Sequence, residues 1–232
     1  MTKELKKRII TSIILFLLLI FCIFVNKYFF IFSVFIVSYI AWNEISKITF
    51  NIVGKLNLKD FFIKLFTLYY VFGIFAFSAI ALKELSGSFY FLYIFCICIS
   101  SDIGGYIVGK KIGGKKLTKI SPNKTISGSI GSLFFSLVPL TIFNYFFENQ
   151  YLFIIDNILF CILISLITQS GDIFISYLKR KGNVKDTGNL LPGHGGMLDR
   201  IDGIIFAIPF SFIITHGFAF FSYPIILIKF FG

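Results

Sequence analysis

The chain alternates between long apolar runs and short charged connections, and that alternation leaves it few ways to fold. Near residues 9–25, 28–46, 61–82, 89–108, 127–147, 151–173 and 201–221 the sequence is almost continuously apolar. A helix that crosses a bilayer needs about 20 such residues and satisfies its own backbone polar groups while doing so. Only 14% of the 232 residues are charged, against roughly 25% in an average soluble protein. With 33 phenylalanines as well, a wetted surface could not be tiled. The expected fold class is all-α, a polytopic integral membrane protein of about seven transmembrane helices. It reads as a single membrane domain over 1–232, with N-terminal spans in 1–88 and the chemistry in 89–232. The first run follows Lys3, Lys6, Lys7 and Arg8 but lacks a small-residue cleavage site, so it reads as a retained span rather than a signal peptide.

The charge that remains is lopsided. Lys and Arg number 22 against 11 Asp and Glu, a formal net charge of +11. Nucleic-acid binders carry such charge on a polar domain surface, whereas here it sits between apolar runs. The N-terminus holds four basic residues, 47–60 three, 109–125 six and 176–200 five, which is 18 of the 22. All fall on one side if seven spans alternate. Basic loops stay cytoplasmic, so the N-terminus and both long loops are expected there. The four cysteines lie inside apolar stretches and read as packing or lipid-facing residues.

The carboxylates are few enough to place individually. Glu4, Asp60, Glu84 and Glu148 fall at span ends or connections. Glu44 and Asp156 are embedded and isolated; helix packing and function explain them equally well. Asp102, Asp172, Asp186, Asp199 and Asp202 all fall at cytoplasmic span ends or in the basic loops. Asp199 and Asp202 are three apart where a helix should begin and so share a face. Carboxylates converging at a membrane surface suit a hard cation such as Mg²⁺; ion pairs with the abundant lysines are the alternative.

The segment Ser176–Gly203 concentrates unusual residues. Two of only three arginines, Arg180 and Arg200, stand here in a chain that otherwise strongly prefers Lys, and the planar guanidinium makes bidentate phosphate contacts that an ammonium cannot. Gly193, Gly195 and Gly196 surround His194, allowing backbone N–H groups to approach an anion. Together with Lys179, Lys185 and the paired aspartates, this predicts a phosphate-and-metal site. The other basic loop, Gly109–Gly128, begins like G-x-x-x-x-G-K, but Lys116 stands where Ser or Thr should be and a span precedes it. It is therefore no P-loop. Ser121, Lys124 and Thr125 remain as anion-binding candidates.

These residues resemble the phosphatidate cytidylyltransferases, the CDP-diacylglycerol synthases. Ser176–Asp202 is similar to that family's signature, S-x-x-K-R-x-x-x-x-K-D-x-G-x-x-x-P-G-H-G-G-x-x-D-R-x-D. Ser101 through Lys110, Ser121 through Thr125 and Gln169 through Asp172 are similar to its other motifs. Ser127 and Ile175 stand where the family often has Glu, and Gly203 where Ser is common.

The resemblance implies CTP and phosphatidate as substrates, CDP-diacylglycerol and pyrophosphate as products, and Mg²⁺, with one or two cations, as cofactor. It implies catalytic roles for Asp172, Asp199, Asp202, His194 and Lys179, with Asp172, Asp199 and Asp202 as metal ligands. It also implies substrate binding by Ser121, Lys124, Ser176, Arg180, Lys185, Gly195, Gly196 and Arg200. The location implied is a bacterial cytoplasmic (inner) membrane, multi-pass, with the active site cytoplasmic. A homodimer is compatible with such a chain. The alternatives are a CTP-dependent polyprenol kinase, which would release CDP, and an ion-coupled transporter, which would place charges near the bilayer midplane in repeated, broken helices.

Overall fold

Asn26 separates the first two apolar runs into distinct helices, because its side chain accepts from Tyr28 N–H (2.9 Å) and caps the second. A computed structural model describes residues 3–54, 58–118, 120–121, 124–147, 155–191 and 195–217. Among them there is no β-sheet, only two isolated bridges, Lys116 with Thr125 and Leu191 with Gly195. The helices are α1 (Lys3–Phe24), α2 (Lys27–Val53), α3 (Leu58–Leu68), α4 (Phe77–Ser86), α5 (Ser88–Ile112), α6 (Ile126–Phe135), α7 (Val138–Phe147), α8 (Ile155–Lys181), α9 (Leu198–Ile201) and α10 (Ile204–Phe212). A π-helical stretch, Tyr69–Ala76, joins α3 to α4, and another, Ile213–Gly217, follows α10.

Among the described residues, five helical stretches are long and apolar enough to cross a membrane: Lys27–Val53, Leu58–Ser86, Ser88–Ile112, Ile126–Phe146 and Ile155–Lys181. The chain is a multi-pass membrane protein, helical among its described residues apart from turns and loops. The first and last expected spans reduce, among the described residues, to apolar stretches at Ile13–Phe24 and Ile204–Gly217. The third expected span contains the π-helical stretch, and the fifth divides at Ser136–Leu137 into α6 and α7. The end of the expected seventh span, 218–221, and the tail lie outside the described residues.

The chain divides into two compact units. One comprises Met1–Ile80 with Tyr177–Asp202, the other Ala81–Ser176 with Gly203–Gly232. In the first, α2 buries Phe30, Val34, Ser38, Ala41, Glu44, Ile45 and Ile48, spaced three and four apart as one helical face requires. Phe35 stacks on Phe72 (6.2 Å), and Trp42 donates to the carbonyl of Lys64 (3.4 Å). Gly54, at φ 75°, ends α2 by returning its N–H to Phe50, a left-handed position that favours glycine.

In the second unit, glycines let α5 and α6 nearly touch. A methyl group at Gly104 would stand 2.4 Å from Phe135 Cβ, and one at Gly131 2.5 Å from Val108 Cβ. Small residues are the usual means of bringing membrane helices together, because lipid offers no hydrophobic drive between them. Polar pairs stitch α5 to α8: Ser101 to Ser165 (2.7 Å), Tyr93 to Cys161 (3.0 Å) and Thr168 to Cys98 (3.3 Å). Gln169 of α8 accepts from Ser129 of α6 (2.5 Å) and donates to Ser165 (3.2 Å). This bundle holds α6, and with it the end of the basic loop.

Candidate active site

In the unit containing residues 177–202, α8 ends where Gly182 donates to Leu178 and Asn183 turns left-handed at φ 54°. The chain then folds back over its own helix, with Val184 N–H donating to Lys179 carbonyl (2.9 Å). Lys179 is thereby held beside Asp199, its ammonium 2.7 Å from Oδ1, and the side chains are only 12% and 6% exposed. The other oxygen of Asp199 accepts from Thr187 N–H (2.8 Å) and Gly196 N–H (3.0 Å), with the Thr187 hydroxyl also at 3.0 Å. Gly195 sits at φ 81°, and a methyl there would come 2.7 Å from Asp199 Oδ2. Only glycine meets both demands.

Burial is the largest single influence on Asp199 and pushes its carboxyl up. The Lys179 hydrogen bond, the two backbone N–H groups and the lysine's charge together outweigh it and hold the carboxyl below its ordinary value. A second carboxylate completes this cradle. Glu44 of α2, 5% exposed, accepts from Met197 N–H (3.0 Å), Leu198 N–H (2.8 Å) and the Thr187 hydroxyl (2.6 Å). Arg180, Lys185, Asp186 and Arg200 are exposed around the same loop, and Asp202 is half-buried just after α9. His194 and its neighbours Pro192 and Gly193 lie outside the described residues.

The other unit brings together a different subset. Lys124 forms an ion pair with Asp172 of α8, the two being 27% and 28% exposed, and Ser176 donates to Asp172 Oδ1 (3.3 Å). Lys124 is fixed by its backbone, since its N–H donates to Ser121 carbonyl (3.1 Å) and its carbonyl accepts from Leu117 N–H (2.8 Å). Thr125 then caps α6 by accepting from Gly128 N–H (3.1 Å). Ser127, where the family often has Glu, donates to Gly113 carbonyl and contacts the Thr125 hydroxyl (3.0 Å). Asp102 lies exposed on α5.

Among the described residues no three of His, Cys, Asp and Glu stand grouped as a metal site. The donor chemistry separates the expected ligands. Asp199 Oδ2 is taken by three donors and Oδ1 by Lys179, so as placed it acts as an acceptor for amides and ammonium. Asp172, partly exposed and holding one long hydrogen bond and one partly exposed lysine, fits a hard oxygen-liganded cation. Nothing in the sequence marks Thr187 as part of the site. For Glu44 the one sequence signal is a carboxylate inside an apolar run, which suits packing as well as function.

Residues 50–218 match the Cytidylyltransferase family, and the chain belongs to it. Over 132 residues it is 49% identical to a phosphatidate cytidylyltransferase of Rickettsia bellii, covering 52% of this chain and 55% of that one. A protein of the same name from Bacillus subtilis is 42% identical over 133 residues, covering 55% of this chain and 48% of the relative. The Staphylococcus aureus (strain COL) counterpart is 46% identical over 125 residues, covering 53% and 47%. The chain thus spans about half the length of the curated relatives it matches.

Proposed function

We propose that the chain transfers a cytidylyl group from CTP to phosphatidate, forming CDP-diacylglycerol and pyrophosphate at the cytoplasmic face of a bacterial inner membrane. The observation that carries this reading is the signature loop held shut around Asp199 and Lys179, in a chain of the Cytidylyltransferase family. An oxygen of the phosphatidate phosphate attacks the α-phosphorus of CTP. The bond from that phosphorus to the β-phosphate oxygen breaks, and pyrophosphate leaves with the electron pair. A phosphate monoester has a second pKa of about 6, so near pH 7 the nucleophile is already an oxyanion and needs no dedicated base. Ser127 and Ile175 in place of Glu are compatible with that.

The chain's contribution is to position and neutralise. In one unit Lys179, Arg180, Lys185 and Arg200 are assigned to substrate phosphates; in the other, Lys124 and Ser121 are, with Ser176 orienting Asp172. Gly195 and Gly196 keep the loop backbone packed against Asp199 and Glu44, and His194 is assigned to a phosphate oxygen of the substrates. Mg²⁺ would supply charge to the leaving pyrophosphate when bound, with Asp172 as the proposed carboxylate in its unit and Asp202 a separate candidate in the other. Asp199 is assigned instead to holding Lys179 and the loop. The positive-inside distribution of 18 of 22 basic residues supports a cytoplasmic N-terminus and seven spans.

The test is the purified protein in liposomes containing phosphatidate, given each of the four nucleoside triphosphates with Mg²⁺ or with EDTA. The expected result is pyrophosphate release and lipid-linked CMP with CTP, lost in EDTA. CDP as the released nucleotide would instead indicate a CTP-dependent kinase, and no lipid product with any triphosphate would refute the assignment.

A further inference from the structure

Glu44 lies six residues before the stretch that matches the family and far from every motif in it, yet three donors of the signature loop converge on its carboxylate. Its two oxygens accept from two consecutive amides, Met197 and Leu198, and from Thr187. The loop is also shaped around it. A methyl at Gly196 would stand 2.4 Å from Glu44 Oε2, and one at Gly188 2.9 Å from Oε1. Two of the signature glycines therefore make room for a carboxylate supplied by α2.

The geometry reaches Asp199 through a shared hydroxyl. Thr187 Oγ1 lies 2.6 Å from Glu44 and 3.0 Å from Asp199 Oδ2. A hydroxyl carries one proton, so only one of these carboxylates receives it at a time, and the position of Thr187 is set by both. Thr187 N–H and Gly196 N–H, the two amides on Asp199, flank the same contacts. Losing the Glu44 acceptors would leave the Met197 and Leu198 amides and the Thr187 hydroxyl to find new partners, and would loosen the turn that presents Asp199 to Lys179.

We infer that Glu44 is a positioning residue for the active-site loop, clamping Thr187 and Met197–Leu198 so that Asp199 and Lys179 are held in register for transfer. The inference rests on the cytidylyltransferase reading for its kinetic consequence, and on geometry alone for its structural one. Both are measured on the full-length protein in nanodiscs, comparing wild type with Glu44→Gln, Thr187→Val and the double variant. Gln keeps the volume of Glu but turns an NH₂ toward backbone donors.

Glu44→Gln is expected to speed hydrogen exchange at the Thr187 and Gly196–Leu198 amides at least tenfold. It is also expected to lower kcat at least tenfold, with KM for CTP within threefold of wild type. The double variant should be no slower than Glu44→Gln alone, because both residues act through one turn. A merely structural role would lower the folded fraction and leave kcat per folded molecule unchanged; that result, or unchanged amide exchange, or additive losses in the double variant, would overturn the inference. Should the wild type form no CDP-lipid, the functional assignment falls, and the exchange data alone decide the role of Glu44. If Glu44→Gln does not fold, Thr187→Val, which removes one hydroxyl, takes its place. Faster exchange with lower kcat then supports the clamp, and wild-type values of either overturn it.

Discussion

Replacing Lys179 with Met removes the ammonium beside Asp199 Oδ1 while keeping most of the apolar stem. With 12% and 6% exposure, water cannot take the lysine's place. Breaking a buried pair from one side costs about 3–5 kcal/mol. Asp199 retains the Thr187 and Gly196 amides and the Thr187 hydroxyl, however, and a hydrogen bond to a charged group is worth about 1.5–3 kcal/mol. The expected penalty at pH 8 is about 2–3 kcal/mol, on the order of 30- to 150-fold in the protection of those amides.

The pH dependence gives a sharper test. In the wild type the Asp199 carboxyl is held below its ordinary 3.8, so its contribution is complete above that value and is lost only as pH falls through the lower folded one. Without Lys179, two of the influences opposing burial disappear, and the carboxyl moves up. The variant then relieves its uncompensated charge by taking a proton as pH falls, so the penalty should shrink as pH falls toward the ordinary carboxylate range. Hydrogen exchange at Thr187 and Gly196, corrected for intrinsic rates, with detergent-induced unfolding alongside, measures it. A penalty that stays equal or grows as pH falls into the carboxylate range, or amides as protected as in wild type, would refute the reasoning.

Lys124→Met should behave differently, because its pair with Asp172 is more than a quarter exposed. Stability should change by under about 1 kcal/mol, while CMP transfer falls at least tenfold; comparing unfolding midpoints with turnover checks both. Gly196→Ala would place a methyl 2.2 Å from Thr187 Oγ1, and should cost about 1–3 kcal/mol as overpacking, with faster exchange across 187–199. Gly131→Leu would drive side-chain bulk into Val108 and into the Gly104 carbonyl (3.0 Å from a Cβ). It should lower the thermal midpoint of the whole protein in detergent without changing exchange in the signature loop.

How legible the molecule is in its sequence depends on how far apart the partners lie. The spans α2 to α8 can be read because apolar length is a local property that the bilayer enforces. The π-helical stretch at Tyr69–Ala76 and the division at Ser136–Leu137 cannot, since neither interrupts the apolar run. In the candidate site, the glycines around His194 and the Asp199–Asp202 spacing are visible as motif residues. The pairing of Lys179 with Asp199 is not, because any of 19 lysines is a candidate partner. Glu44 is the hardest to read, since its donors are mostly backbone amides, present at every residue, and lie 143–154 positions away.

That separation also sets an order of events during synthesis. A ribosome adding about 5–20 residues per second makes Glu44 roughly 7–30 seconds before Thr187. For that interval α2 carries a carboxylate into the membrane with none of its loop donors yet in existence. The nascent chain must shelter it with water, lipid headgroups or the insertion machinery. The signature loop therefore docks onto a receptor that has been waiting since the second helix.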